Sequence, residues 1–211
     1  MRLEASGRYG AAEVAFLRGE PTIEASLARL PKGPVAVVPL ALSRGHVAGV
    51  LIPKALAAAA DPLRRTACLE PAGTASVVTR IVGAHALAVA RAAKLDPTTA
   101  ALMLIAHGGG RGESREAAWR IAAALDGTQP FHTVGSAFLE ESPSIAETAA
   151  RLGGALIAVG LFAESGDHVR REVESELDRL RNESGATVID AGPIGATPAY
   201  YDAIVEILER S

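Results

Sequence analysis

From residue 101 to residue 106 the chain carries no polar side chain, and it then breaks into His107-Gly108-Gly109-Gly110. An apolar run without alternation predicts a strand buried on both faces, as in a parallel sheet, leading into a glycine turn. The period then changes. Ala117, Ala118, Ile121, Ala122 and Leu125 share one helical face over residues 113–125, and Gly127 stops that helix. Residues 131–139 read as the next strand. Ser142-Pro143 reads as an N-cap with proline at the first helical position, opening a helix that ends at Gly153. A third strand covers residues 155–162, followed by a helix marked by Val169, Val173, Leu177 and Leu180. A fourth strand at residues 187–191 and a last helix at about 198–209 complete the pattern. Four strand–helix units with short loops imply a parallel sheet covered on both faces.

The same pattern occurs earlier in the chain. Phe16 and Phe138, Pro21 and Pro143, Ile23 and Ile145, and Pro71 and Pro193 form pairs separated by 122 positions. GPVAVVPLALSRGHV lies over GALIAVGLFAESGDHV, with Asp167 as the inserted residue. An internal duplication therefore predicts two similar lobes, one over residues 1–98 and one over residues 99–211. The first copy supplies only three strand–helix units: the strand that ends in His107 and its glycine turn have no counterpart. An upstream segment or a second subunit would complete that lobe, and the bare strand edge would favour a homodimer.

Composition narrows the function. A net charge of −3 without a basic block, and only eight aromatic residues, argue against a nucleic-acid surface built on phosphate neutralisation and base stacking. The apolar runs are too short to span a bilayer, and no basic segment leads into a signal-like stretch, so a cytoplasmic protein without a membrane anchor is expected. The single cysteine, Cys68, has Asp190 as its counterpart and reads as a small strand residue. A small molecule is the expected partner.

The candidate chemistry gathers at one edge. His107 ends its strand, so its imidazole should stand at the carboxyl end of a parallel sheet, where such sheets bind ligands. Gly108, Gly109 and Gly110 let the backbone approach a ligand closely. His168 falls in the first turn of the helix after the third strand and emerges at the same edge. There the macrodipole disfavours the imidazolium and keeps a neutral nitrogen available to a metal. Glu140 and Glu141 end the second strand on that edge, and a carboxylate there suits a divalent ion or a proton. His46 matches His168, but Arg18 stands where Glu140 does. Glu164 and Asp167 would add negative potential at the mouth, and Arg44, Arg111, Arg115 and Arg170 lie near the presumed cleft. His85 reads as a packed helix residue and His132 as lying at the far edge, so neither is a candidate ligand.

The segments LIAHGGGRGESREA, VGSAFLEESPSIAE, AVGLFAESGDHVRREV and AGPIGATPAYYDAI resemble the class II chelatases of tetrapyrrole biosynthesis, in particular the CbiX/SirB-type sirohydrochlorin chelatases. The resemblance is continuous over residues 101–211 and weaker over 13–92. It implies an α/β chelatase-like fold of two flavodoxin-like lobes, here with the first βα unit of the N-terminal lobe missing. It also implies ATP-independent insertion of Co²⁺ or Fe²⁺ into a tetrapyrrole, with no cofactor beyond that metal substrate. His107 and His168 would be metal ligands and proton acceptors, and Glu140 the acid that helps to deliver metal. Gly109 stands where the family carries the serine of HGS, and FLEESP is one residue shorter than many family versions. No G-x-x-x-x-G-K-[ST] nucleotide motif is present. HGGG also forms the oxyanion hole of some esterases, but no G-x-S-x-G elbow accompanies it. Ala106, not arginine, precedes His107, unlike a histidine phosphatase. The remaining rival is a degenerate homologue that binds tetrapyrrole or metal without turnover.

Overall fold

The computed structural model describes residues 9–74, 76–109, 112–163 and 166–209. In the second half, β3 (Ala100–Ala106), β4 (Thr133–Phe138), β5 (Ala155–Gly160) and β6 (Val188–Pro193) form one parallel sheet in the order β4-β3-β5-β6. Counted from β3, this is the 2-1-3-4 order of a flavodoxin-like sheet. Helices α4 (Glu113–Leu125), α5 (Ile145–Leu152), α6 (Asp167–Ser184) and α7 (Pro198–Glu209) follow these strands in turn. In the first half, β1 (Val35–Val37) and β2 (Thr66–Cys68) make a two-stranded parallel sheet, with α1 (Ile23–Arg29), α2 (Ile52–Ala58) and α3 (Ser76–Ala92) around it in sequence. The architecture is α/β with two parallel sheets.

Every residue of β3 is buried, as its unbroken apolar run requires. Leu102, Leu104 and Ala106 point into a core completed by α3, α4 and α7. Ala101, Met103 and Ile105 point the other way, onto Ile145 and Ala149 of α5 and Val173 and Leu177 of α6. Helix α3 belongs by sequence to the first copy, yet Val78, Val82 and Ala86 pack in the core of the second sheet. Burying each such branched side chain contributes about 1.5–3 kcal/mol.

The duplication extends to individual hydrogen bonds. Phe16 N–H donates to Pro21 O and Phe138 N–H to Pro143 O, each at 2.9 Å. Both prolines follow cis peptide bonds. Thr22 and Ser144 cap the helices that follow, accepting from Ala25 N–H and Glu147 N–H. Further on, Gly73 N–H donates to Ala41 O at 2.9 Å, and Gly195 N–H to Phe162 O at 3.0 Å.

Two expectations change. The N-cap of α5 is Ser144, not Ser142, because Ser144 and Glu147 close a reciprocal capping box while Pro143 spends its carbonyl on the preceding turn. The stretch around Phe16, expected as a strand, forms only an isolated bridge to Thr22. Its counterpart β4 pairs with β3 alone, and among the described residues no strand lies beside the Phe16 stretch as β3 lies beside β4, so it has no ladder to join there. The β2 residues are exposed, Cys68 included. The Cys68 thiol is pushed above its ordinary range, first by partial burial and then by Glu70. Among the described residues no helix is long and apolar enough to cross a membrane.

Candidate functional site

The carboxyl end of β3 is where the candidate residues gather. The ladder between β3 and β4 continues past the regular strands: Leu139 N–H donates to Ala106 O at 3.1 Å, and Glu140 N–H to His107 O at 3.0 Å. On the other side, Leu161 N–H donates to Ile105 O at 2.7 Å. His107 thus leaves the sheet between the ends of β4 and β5. Its exposed ring stands edge-on to the buried ring of Phe162, with centroids 5.1 Å apart. This contact limits the directions the exposed imidazole can take.

The turn after His107 needs its glycines. Gly108 and Gly109 both have left-handed backbones, with φ of 74° and 68°. A Cβ on Gly108 would come within 2.8 Å of Glu141 Cγ and 2.9 Å of Phe138 Cβ. One on Gly109 would run into Glu140 Oε2. The turn therefore lies directly on the Glu140-Glu141 pair. Arg115 of α4 closes this corner, donating from Nη1 to Glu141 Oε2 at 2.8 Å with its guanidinium 5.2 Å from the Trp119 ring.

His168 is the second residue of α6, so it sits in the first helical turn as expected. Its side chain is 94% exposed, and Nε2 lies 3.8 Å from Glu172 Oε2 one turn along. His107 and His168 stand at the carboxyl ends of neighbouring strands, which is what the sheet order dictates. Among the described residues, however, no group of three or more His, Cys, Asp or Glu side chains stands close enough together to hold an ion. The structure joins Glu140 to His107 through the backbone and leaves the His168 side chain exposed on the first turn of α6.

In the first copy, His46 precedes the π-helical turn Val47–Leu51 and is exposed. A Cβ on its neighbour Gly45 would sit 4.0 Å from Glu113 Cβ, so this loop lies against the start of α4. Arg44 pairs with Glu70 at 2.7 Å. Gly110, Arg111 and Glu164 lie outside the described residues, as does the side chain of Asp167, which opens α6 after the N-cap Gly166. His85 is half-buried on α3 and bonds Ala191 O at 2.8 Å, a structural use that matches its reading. His132 precedes β4 at the opposite edge. A cleft of about 370 Å³ between α3 and α4, lined by Arg80, Arg120 and Gln129 among others, contains none of the candidate residues. Sequence reasoning missed the ring contact of Phe162 and the Arg115–Glu141 pair, because neither is a spacing within one element.

This arrangement can accept protons and offer a small number of nitrogen and oxygen donors from an open edge. Such a mixed donor set suits first-row divalent ions that are to be passed on rather than kept.

Comparison with known proteins points to one family and fold. The CbiX family model matches residues 101–211. Among curated protein sequences none matches the chain. Of solved structures, Bacillus subtilis SirB with Fe³⁺ is 23% identical with a TM-score of 0.81, covering 99% of this chain and 86% of that one. CbiX, described as the terminal enzyme of siroheme biosynthesis in denitrifying bacteria, is 27% identical with a TM-score of 0.71, covering 88% and 79%. A multi-domain Deinococcus radiodurans protein with structural similarity to chelatases is 21% identical with a TM-score of 0.79, covering 96% of this chain. The chain spans about half of that protein's length, 47%. The likeness to the first and third is one of fold.

Proposed function

Because the chain belongs to the CbiX family, whose model matches residues 101–211, we propose that it is an ATP-independent chelatase that inserts Co²⁺ or Fe²⁺ into sirohydrochlorin. The observation that carries this reading is the junction at the end of β3, where His107 is exposed against Phe162 and its carbonyl is bonded to the backbone of Glu140. The solved CbiX structure, described as the terminal enzyme of siroheme biosynthesis, supports the substrate class.

Metallation exchanges two pyrrole protons for one divalent ion. The ion must be held by few protein ligands so that it can leave, and the protons need acceptors as it enters. In this reading Glu140 and His107 would hold the incoming ion from adjacent strand ends; one pyrrole proton would go to His168, and the other to the His107 nitrogen that the ion vacates as it passes into the macrocycle. An open edge suits a flat macrocycle better than a closed pocket. The first copy has Arg18 in place of Glu140, so the carboxylate donor comes from the second copy.

The test is anaerobic visible spectroscopy of metal-free sirohydrochlorin with Co²⁺ or Fe²⁺, comparing wild type, His107→Ala and no protein. Acceleration by the wild type, lost in the variant by about 10²- to 10⁴-fold, is the expected outcome. A bound spectrum with only the spontaneous rate would replace the enzyme by a binding protein.

A further inference from the structure

We infer that Glu141, held by Arg115, is a positioning residue that sets the place of the His107 turn against Glu140. The inference rests on the chelatase reading for its kinetic consequence, and on geometry alone for the positioning itself. Glu141 lies under the turn: a Cβ on Gly108 would meet its Cγ at 2.8 Å and its Oε1 at 2.9 Å. Its Oε2 accepts from Arg115 Nη1 at 2.8 Å. Arg115 is fixed in turn, since its guanidinium rests on Trp119 at 5.2 Å and Trp119 meets Phe138 edge-on at 6.1 Å. Arg115 belongs to α4, which begins where the turn ends, and Glu141 follows β4, which flanks its beginning. The ion pair therefore ties together the two supports of the turn that carries His107.

Packing alone does not account for this choice of residue. Glu141 Oε1 and Arg115 Nε are buried with no hydrogen-bond partner among the described residues. An apolar side chain would fill the same space without leaving polar atoms unpaired, so retaining a carboxylate there costs stability. The duplication supplies a comparison: Gly19 stands at the position of Glu141 in the first copy, so the repeated fold does not itself require a carboxylate there.

Three variants, Glu141→Gln, Arg115→Gln and the double Gln variant, test this with two readouts. In the metal-free protein, the amide resonances of Gly108 and Gly109 and the imidazole resonances of His107 should shift while those of β5 and β6 hold. In the Co²⁺ insertion assay, kcat should fall about 10- to 100-fold, as for other residues that orient ligands, with KM for sirohydrochlorin unchanged. The double variant should be no worse than the worse single, because both remove one interaction. Arg115→Lys keeps the charge and loses the fork, and should fall between wild type and Arg115→Gln. It also decides the question if a Gln variant fails to fold. Unmoved Gly108, Gly109 and His107 resonances in a folded variant, additive losses, or a loss carried by KM would each overturn the inference. A wild type without turnover would overturn the chelatase reading and leave the resonances to decide the strut.

Discussion

The backbone N–H of Glu140 donates to the carbonyl of His107 at 3.0 Å, so the acid and the histidine are joined main chain to main chain. Neither side chain is needed for that bond. Glu140→Gln should therefore keep the relative placement of the two residues and remove only the charge. The expected result is Co²⁺ insertion slowed about 10²-fold, with an unchanged thermal unfolding midpoint. Wild-type rates in this variant would remove Glu140 from the metal path.

Gly109 is the position at which the chain departs from the HGS pattern, and the structure gives a reason. Its φ is 68°, and a Cβ there would collide with Glu140 Oε2. Gly109→Ser should cost about 1–2 kcal/mol for the left-handed backbone, a fall of a few degrees in Tm. It should also push the Glu140 carboxylate off the turn and slow insertion. Faster insertion would show that Glu140 does not use the space that glycine leaves.

Gly73 and Gly195 are equivalent positions in the two copies, and each lies against backbone. A Cβ would overlap Leu42 in one case and Ala163 in the other, with no flexible side chain to give way. Gly73→Ala and Gly195→Ala should each destabilise by about 3 kcal/mol or more, read from urea denaturation midpoints. A loss confined to Gly195→Ala would mean that the first copy yields where the second does not.

Tyr200 is 1% exposed, and its hydroxyl has no hydrogen-bond partner among the described residues. Burial, with a smaller contribution from Tyr201, pushes its pKa from the ordinary 10.0 to about 12. The unfolded chain therefore loses this proton first, and stability is full below about pH 10 and declines as the pH rises through about 12. At the alkaline limit that decline amounts to about 2–3 kcal/mol. Tyr200→Phe should flatten this part of the stability–pH curve and, by removing an unpaired buried hydroxyl, raise stability at neutral pH by about 1 kcal/mol. An unchanged alkaline slope, measured by denaturation from pH 9 to 12, would move the effect to another group.

Much of the fold is legible in the linear pattern because β3, α4 and α7 each satisfy one period throughout. Ala101–Ala106 has no polar residue to expose, so only a strand covered on both faces can hold it. The duplication was legible for the same reason: paired prolines and glycines mark turns that the backbone must repeat. The stretch around Phe16 reads as a strand but forms only a bridge to Thr22, because a strand is defined by its neighbour and none of the described residues supplies one there. Ser142 reads as the cap because Ser-Pro precedes many helices, whereas the reciprocal bonds of Ser144 and Glu147 decide the start.

The sequence by itself determined the family, the parallel α/β layers and the edge at which His107, Glu140 and His168 emerge, because strand direction and βα order follow from local periodicity and short connections. Tertiary structure alone decided what touches what at that edge. It set His107 against Phe162, bonded it to Glu140, put Glu141 and Arg115 beneath the glycine turn, left His168 94% exposed and carried α3 across to the second sheet. These contacts join residues far apart in the chain, and their geometry depends on strand order and packing, which no local pattern records.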